Sequence, residues 1–230
     1  MSAGQFYDRY YEDGNPSRHK PPLYSRILDR LLRRFIVERY ALTFEALPAG
    51  ETILDIGCGG DLTFMPLWEK YKEVYCLDVS KNIIESMQRE FKDKSGMHLV
   101  VGDIDEKIDL PEGYFDTIIA VAIMEHIFDP YHLMKESYRL LKPGGCLIVL
   151  VPNVAWLGNR LRLLFGKLPV TATAEGWDGG HLHYFTRGSL KKLFQQEGFE
   201  VTQILWGGPS RKVWGSLLSV NILVVGKKKQ

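Results

Sequence analysis

Long apolar runs are missing from this sequence of 230 residues, and the longest fall far short of the roughly 20 residues a membrane-spanning helix requires. The opening stretch "MSAGQFYDRYYEDGNPSRHK" has no apolar core of a secretory signal, so the expectation is a cytoplasmic protein without stable membrane insertion. Cysteine is scarce. Cys58, Cys76 and Cys146 form neither a CxxC pair nor an extracellular framework, which excludes a disulfide scaffold and fits a reducing compartment. An excess of either charge is missing too: the formal net charge is +1, so no whole-molecule field draws the chain to nucleic acid or to an anionic membrane. Recognition must come from a local site, and no nucleic-acid partner is expected. Internal repeats and low-complexity tracts are absent as well.

What is present is a regular alternation. Pro21 and Pro22 open a helical pattern with Leu23, Ile27, Leu31 and Phe35 on one face, ending near "ALPAG"; Arg26, Arg30, Arg33 and Arg34 fall opposite, as a solvated basic face. Residues 1–50 are therefore set apart as a helical leader, with Tyr7, Tyr10 and Tyr11 available to fold over a site. From residue 51, short β-rich runs at 52–56, 73–79, 97–103, 115–122 and 145–152 alternate with helical windows at 62–71, 81–92 and 131–141. Runs such as "TIIAVA" and "CLIVLV" are apolar throughout, as strands buried on both faces of a parallel sheet are. The layout predicts a doubly wound α/β fold.

Residues 153–185 are too long for an ordinary connection and read as a cap insertion, with an amphipathic helix over Trp156 to Phe165 that carries Arg160 and Arg162; its small basic content favours a lid over the site against a membrane-surface helix. A helix capped by Thr186 or Ser189 and stopped at Gly198 follows. "FEVTQILW" and "SVNILVVGKKK" then close the chain as two strands, a hairpin with a long loop, and Lys227 to Lys229 read as a solvated tail.

The chemistry concentrates at strand ends. "DIGCGG" turns from a strand toward a helix, where glycines allow the backbone to approach a ligand closely. The dinucleotide fingerprint needs glycines at its first, third and sixth positions; Gly57 and Gly59 meet the first two, but the sixth is Leu62. Asp55 before the loop and Asp61 after it would repel a pyrophosphate and attract a cationic ligand. Asp78 ends the second strand where a carboxylate accepts hydrogen bonds from ribose hydroxyls, and Asp103 ends the third, within reach of an exocyclic amine. The pattern indicates a nucleoside that carries positive charge.

These residues resemble the class I S-adenosylmethionine-dependent methyltransferases. "LDIGCGG", "LDVS", "GDID", "FDTIIAVAIMEHIFDP" and "LLKPGGCLIVLVPN" match that family's five motifs in order, over residues 50 to 152. The resemblance implies a Rossmann-like, mostly parallel seven-stranded sheet with an antiparallel last strand, and S-adenosyl-L-methionine as cofactor. It implies that Asp55, Gly57, Cys58 and Gly59 line the methionine part, Asp78 and Val79 the ribose, Asp103 and Ile104 the adenine, and Ala120, Val121 and Ala122 the floor near the sulfonium. Gly60-Asp61 departs from the usual residue-glycine pair, which leaves Asp61 without a role. The Asn/Asp-Pro-Pro-Tyr/Phe signature of amino-methylating nucleic-acid and protein-glutamine enzymes is absent. "MEHI", "GKLPVT" and "HLHYFT" are similar instead to the small-molecule branch, of ubiquinone-biosynthesis type or MetW-like.

Methyl transfer to a hydroxyl needs alignment, exclusion of water and a base. His126, just after the fourth strand, is the leading candidate, because histidine titrates near neutrality. His181, His183 and Tyr184 in the cap are the other catalytic candidates, and an extended "HLHYF" puts both histidines on one face. No carboxylate or cysteine accompanies the two histidines at a supporting spacing, so no metal is expected. The sequence thus predicts methyl transfer from S-adenosylmethionine to a small-molecule acceptor at oxygen, with self-association left open. Its alternatives are a non-catalytic cofactor-binding module that works through a partner and an NAD-dependent oxidoreductase, against which Leu62 and Asp55 argue.

Overall fold

The computed structural model describes residues 39–59, 70–171, 180–207 and 214–229. The leader pattern at 21–35 and its basic face, Tyr7, Tyr10 and Tyr11, and Asp61 lie outside the described residues, as does nearly all of the helical window at 62–71. The end of the leader is seen as a helix over 39–46, just before "LPAG".

Seven strands follow: β1 (Thr52–Ile56), β2 (Glu73–Asp78), β3 (Met97–Val101), β4 (Phe115–Val121), β5 (Leu141–Pro152), β6 (Glu200–Gly207) and β7 (Asn221–Lys227). They form one sheet in the order β3-β2-β1-β4-β5-β7-β6. β1 pairs in parallel with β2 and β4, and β7 runs antiparallel to both β5 and β6. The predicted seven-stranded sheet with an antiparallel last strand is what the chain forms. β5 begins earlier than its apolar run suggests, because Leu141 pairs with Phe115 before a register shift brings Cys146 opposite Thr117.

Five further helices follow the one at 39–46: α1 (Lys81–Glu90), α2 (Pro130–Leu140), α3 (Leu157–Leu164), α4 (Arg187–Gln196) and the short α5 (Gly215–Leu218). Their starts are chemically marked. The Ser80 side chain accepts from the Ile83 N–H at α1, Asp129 from the Tyr131 N–H at α2, and Thr186 and Ser189 form a reciprocal capping box at α4. Leu133, Met134, Leu190 and Phe194 of α2 and α4 pack on one face of the sheet with Leu54 and Phe115. Leu42 and Leu47 of the leader's end and Ile83, Ile84 and Met87 of α1 pack on the other with Ile53 and Ile148. Both faces of the central strands are therefore dry, which accounts for their unbroken apolar sequence.

The carboxy-terminal tail corrects one expectation. Lys228 is half-buried, and its ammonium donates to the carbonyls of Tyr138 and Leu141 at 2.6 and 2.8 Å. Its methylene stem reaches into the fold, and burial holds its pKa below the usual lysine value. Among the described residues no helix is long and apolar enough to cross a membrane.

Candidate active site

The strand order reverses between β1 and β4, so the loops after these two strands diverge and leave a crevice at the carboxyl edge, where open α/β sheets bind ligands. One wall is the glycine loop. The Gly57 and Cys58 N–H groups donate to the Leu77 carbonyl at 2.8 and 3.3 Å, which folds the loop across the end of β2. Gly57 and Gly59 have positive φ of 72° and 63°. A Cβ on Gly57 would lie 2.7 Å from Ile123 Cγ1, so glycine is required there both by conformation and by the nearness of the β4 loop.

Asp78 fastens that wall. Its Oδ2 accepts the Gly59 N–H and its Oδ1 the Ser80 N–H, each at 2.9 Å, so one buried carboxylate joins the loop to the start of α1. A carboxylate has about four acceptor positions, so these bonds are compatible with hydroxyls approaching the same oxygens. Asp55 is 3% exposed beside it. Cys58 contributes backbone alone: its sulfur lies 3.8 Å from Met87 Sδ in the core, and the Cys76 thiol beside it and burial push its own thiol far above the usual value. Val79 is half-buried at the turn into α1.

Beyond β3, half-buried Asp103 accepts the Asp105 N–H at 3.0 Å and shapes a tight turn. Ile104 is buried in the core beneath it, as is Ala120 in β4, so these two support the crevice from below. Half-buried Val121 ends β4. Asp105, which sequence reasoning passed over, accepts the N–H groups of Phe128 and Asp129 at 2.8 Å each and so ties the β3 loop to the β4 loop.

The opposite wall begins with a kink. Ala122 is the sole non-glycine with positive φ among the described residues, at 54°, held by donation of its N–H to the Leu150 carbonyl at 2.8 Å. This left-handed residue turns the chain out of β4 into "IMEHI" at a cost of about 1–2 kcal/mol. Three elements of that turn then converge with the insertion. The Glu125 carbonyl accepts the N–H groups of Leu182 and His183 at 2.8 and 3.1 Å. The His126 and His181 rings meet edge to face, 4.6 Å between centroids. His181 Nδ1 lies 2.6 Å from Thr171 Oγ1, and His183 Nε2 donates to the Phe128 carbonyl at 3.2 Å. Tyr184 is half-exposed alongside.

The fold thus brings His126 and His181 together, and with them Glu125, which spacing in the sequence did not single out. One donor atom from each of Glu125, His126 and His181 lies within 4.8 Å of the others. Two imidazoles and a carboxylate are donor types that could hold a divalent cation, and the carboxylate found wanting in the sequence comes from the β4 loop. Glu125 is 1% exposed and its Oε2 has no hydrogen-bond partner. Burial pushes its carboxyl up to about 8, against its own backbone N–H and the positive charge of Arg39, which pull it down.

The insertion leaves and returns at one place. Asn153 and Phe185 form an isolated parallel bridge, and the buried Asn153 amide donates to the carbonyls of Ser216 and Ser219 at 3.1 and 2.9 Å while its oxygen accepts the Ala155 N–H.

A family model for the methyltransferase domain matches residues 24–204. The chain belongs to the methyltransferase domain family. The mouse mitochondrial ubiquinone biosynthesis O-methyltransferase is 32% identical over 164 residues, covering 68% of this chain and 43% of that protein. The mouse tRNA N(3)-cytidine methyltransferase METTL2 is 30% identical over 173 residues, covering 70% and 44%. The chain spans less than half the length of these relatives. Among solved structures, a chain in the complex with the Haloferax volcanii Trm112 methyltransferase activator superposes with a TM-score of 0.66 at 16% identity, over 97% of this chain and 98% of that one, a likeness of fold.

S-adenosylmethionine is the cofactor of this methyltransferase domain, and the residues present fit it. The loop packs too closely for a side chain at Gly57, buried acidic groups lie at the ends of β1 and β2, and none of these positions offers a basic group to a pyrophosphate. The oxidoreductase alternative is set aside by the family match.

Proposed function

We propose that this domain transfers a methyl group from S-adenosylmethionine to an oxygen nucleophile on a small molecule. The observation that supports the reading most is the cluster of Glu125, His126 and His181, which sits at the switch-point crevice opposite the glycine loop. The name of the mouse ubiquinone biosynthesis relative supports a hydroxyl acceptor as well.

When bound, S-adenosylmethionine supplies a methyl group activated for in-line displacement. The chain's own residues do the rest. Asp78 and the loop it fastens orient the ribose and methionine ends, with Asp103 at the base end. Ala122 aims the β4 loop at the crevice. His126 removes the acceptor's proton, and His181, held through Thr171, fixes the plane of the His126 ring. Glu125, neutral below about pH 8, adds no fixed negative charge that would trap the proton. Leu182 and His183, bonded to the Glu125 and Phe128 carbonyls, shield the reacting groups from water.

Calorimetric titration with S-adenosylmethionine and S-adenosylhomocysteine tests the cofactor half; absence of binding, or the same affinity in Asp78→Ala, refutes it. For the acceptor half, labelled methyl donor is offered with phenolic small molecules and with tRNA. Transfer to small-molecule hydroxyls by the isolated chain is expected, lowered about 100-fold or more in His126→Ala at unchanged cofactor affinity. Transfer to RNA instead, or turnover only with an added protein partner, overturns it.

A further inference from the structure

The turn after β3 is fastened to the turn after β4, and the fastening runs from the base end of the crevice to the histidines. Asp103 Oδ1 accepts the Asp105 N–H at 3.0 Å, and the Asp103 carbonyl accepts the Glu106 N–H at 3.0 Å. Ile104 is buried in the core between the two aspartates, which holds them in one anchored turn. From that turn, Asp105 Oδ2 accepts the Phe128 N–H and Oδ1 the Asp129 N–H, each at 2.8 Å. The Glu106 carbonyl accepts from His132 Nε2 at 3.1 Å beside them. Helix α2 does not need the Asp105 bonds for its own start. Asp129 already caps it by accepting the Tyr131 N–H, and Pro130 has no N–H to satisfy.

What Asp105 fixes is the far end of the segment 123–128, which carries His126. The near end is the left-handed Ala122, a strained residue. Between the two ends, the segment buries the Glu125 carboxyl with one oxygen lacking a hydrogen-bond partner and sets the His126 ring against His181. A turn that starts from strain and buries such a carboxyl keeps its place only while its other end is held. We propose that Asp105 is a positioning residue that relays occupancy of the base end of the crevice to the His126 turn, so that cofactor binding sets the His126 and His181 rings. This relay rests on the functional reading above and adds an order of binding to it: cofactor first, acceptor second. A carboxylate has about four acceptor positions, so Asp103 keeps the Asp105 N–H while it takes a donor from the adenine amine. The bound base stiffens the β3 turn, and Asp105 carries that to Phe128 and Asp129 through hydrogen bonds to a charged group, which are stronger than neutral ones. With Asp105 released, residue 122 relaxes toward negative φ and the two rings part.

Magnetic resonance of the histidine rings reads the relay without any turnover. The His126 and His181 ring protons are assigned from His126→Gln and His181→Gln, and the full chain is titrated with adenosine. This probe fills the base and ribose end and leaves the methionine end of the crevice empty, so it reaches the rings only through the protein. In the wild type, saturating adenosine is expected to shift both ring signals. Asp105→Asn keeps one acceptor and loses the charge; its shifts should fall at least about three-fold, while adenosine affinity by calorimetry stays within about three-fold of wild type. Asp105→Glu, which keeps the charge, should recover part of the response. A bond that only stabilises the fold would lower the melting temperature of Asp105→Asn and leave its ring response at the wild-type size, and that result overturns the proposal. Wild-type rings that stay silent while adenosine binds overturn it as well, and leave the methyl-transfer reading standing. If neither adenosine nor S-adenosylmethionine binds, the functional reading falls and the relay falls with it.

Discussion

Replacing Glu125 by glutamine isolates the electrostatic tension at the heart of the site. The carboxyl is buried, one oxygen has no hydrogen-bond partner, and the groups facing it are His126, His181 and the charge of Arg39. Its folded pKa of about 8 exceeds the reference value of 4.5, so the native state binds a proton that the unfolded chain gives up. A raised acid pKa destabilises. Nothing is lost below pH 4.5, stability then falls by up to about 1.4 kcal/mol per pH unit, and the loss is complete above about pH 8. At pH 7 the term comes to about 3 kcal/mol, a large share of an ordinary domain's stability. Glutamine keeps the shape and has no proton to lose. Urea unfolding of cofactor-free wild type and Glu125→Gln, followed by circular dichroism from pH 5 to pH 8, should show similar stability at pH 5. The variant should be ahead by about 4 kcal/mol at pH 8. Parallel pH profiles, or a variant that falls behind as pH rises, would show that Arg39 or another partner already ionises this carboxylate in the native state.

Three further substitutions probe the walls of the crevice. Gly57→Ala should lower S-adenosylmethionine affinity at least about tenfold by calorimetry, because a left-handed alanine costs about 1–2 kcal/mol and its Cβ meets Ile123; unchanged affinity would mean that the loop does not touch the cofactor. Ala122→Gly should leave stability unchanged or raise it by up to about 1 kcal/mol in thermal unfolding, while Ala122→Val should lower it by more than about 2 kcal/mol; the reverse order would show that the kink is not strained. Asn153→Ala should cost about 2–3 kcal/mol and speed proteolysis within 157–171, since it removes three hydrogen bonds that close the insertion; an intact insertion would place the anchor elsewhere.

What the sequence made legible is local. Strands such as Phe115–Val121 announce themselves because both faces are buried, and the cap at Thr186 because a side chain three residues from its partner needs no tertiary information. The acidic and glycine positions were legible as strand ends. What each does there was not: Asp78 serves the glycine loop as well as facing the crevice, and Ile104 and Ala120 turn into the core. Asp105, Glu125, Thr171 and Lys228 were missed for one physical reason. Each acts on a segment distant in sequence, and nothing in residue spacing reports which loops the sheet order will bring together.

Similarity of fold at 16% identity carries the sheet and the carboxyl-edge crevice. Among the described residues of the insertion, polar bonds hold one end beside His126, through His181 and Thr171, while Leu161, Leu163, Leu164, Phe165 and Leu168 at the other end stand in water. A segment selected only as a cover would bury those side chains, since each exposed leucine forfeits roughly 1.5–3 kcal/mol of burial.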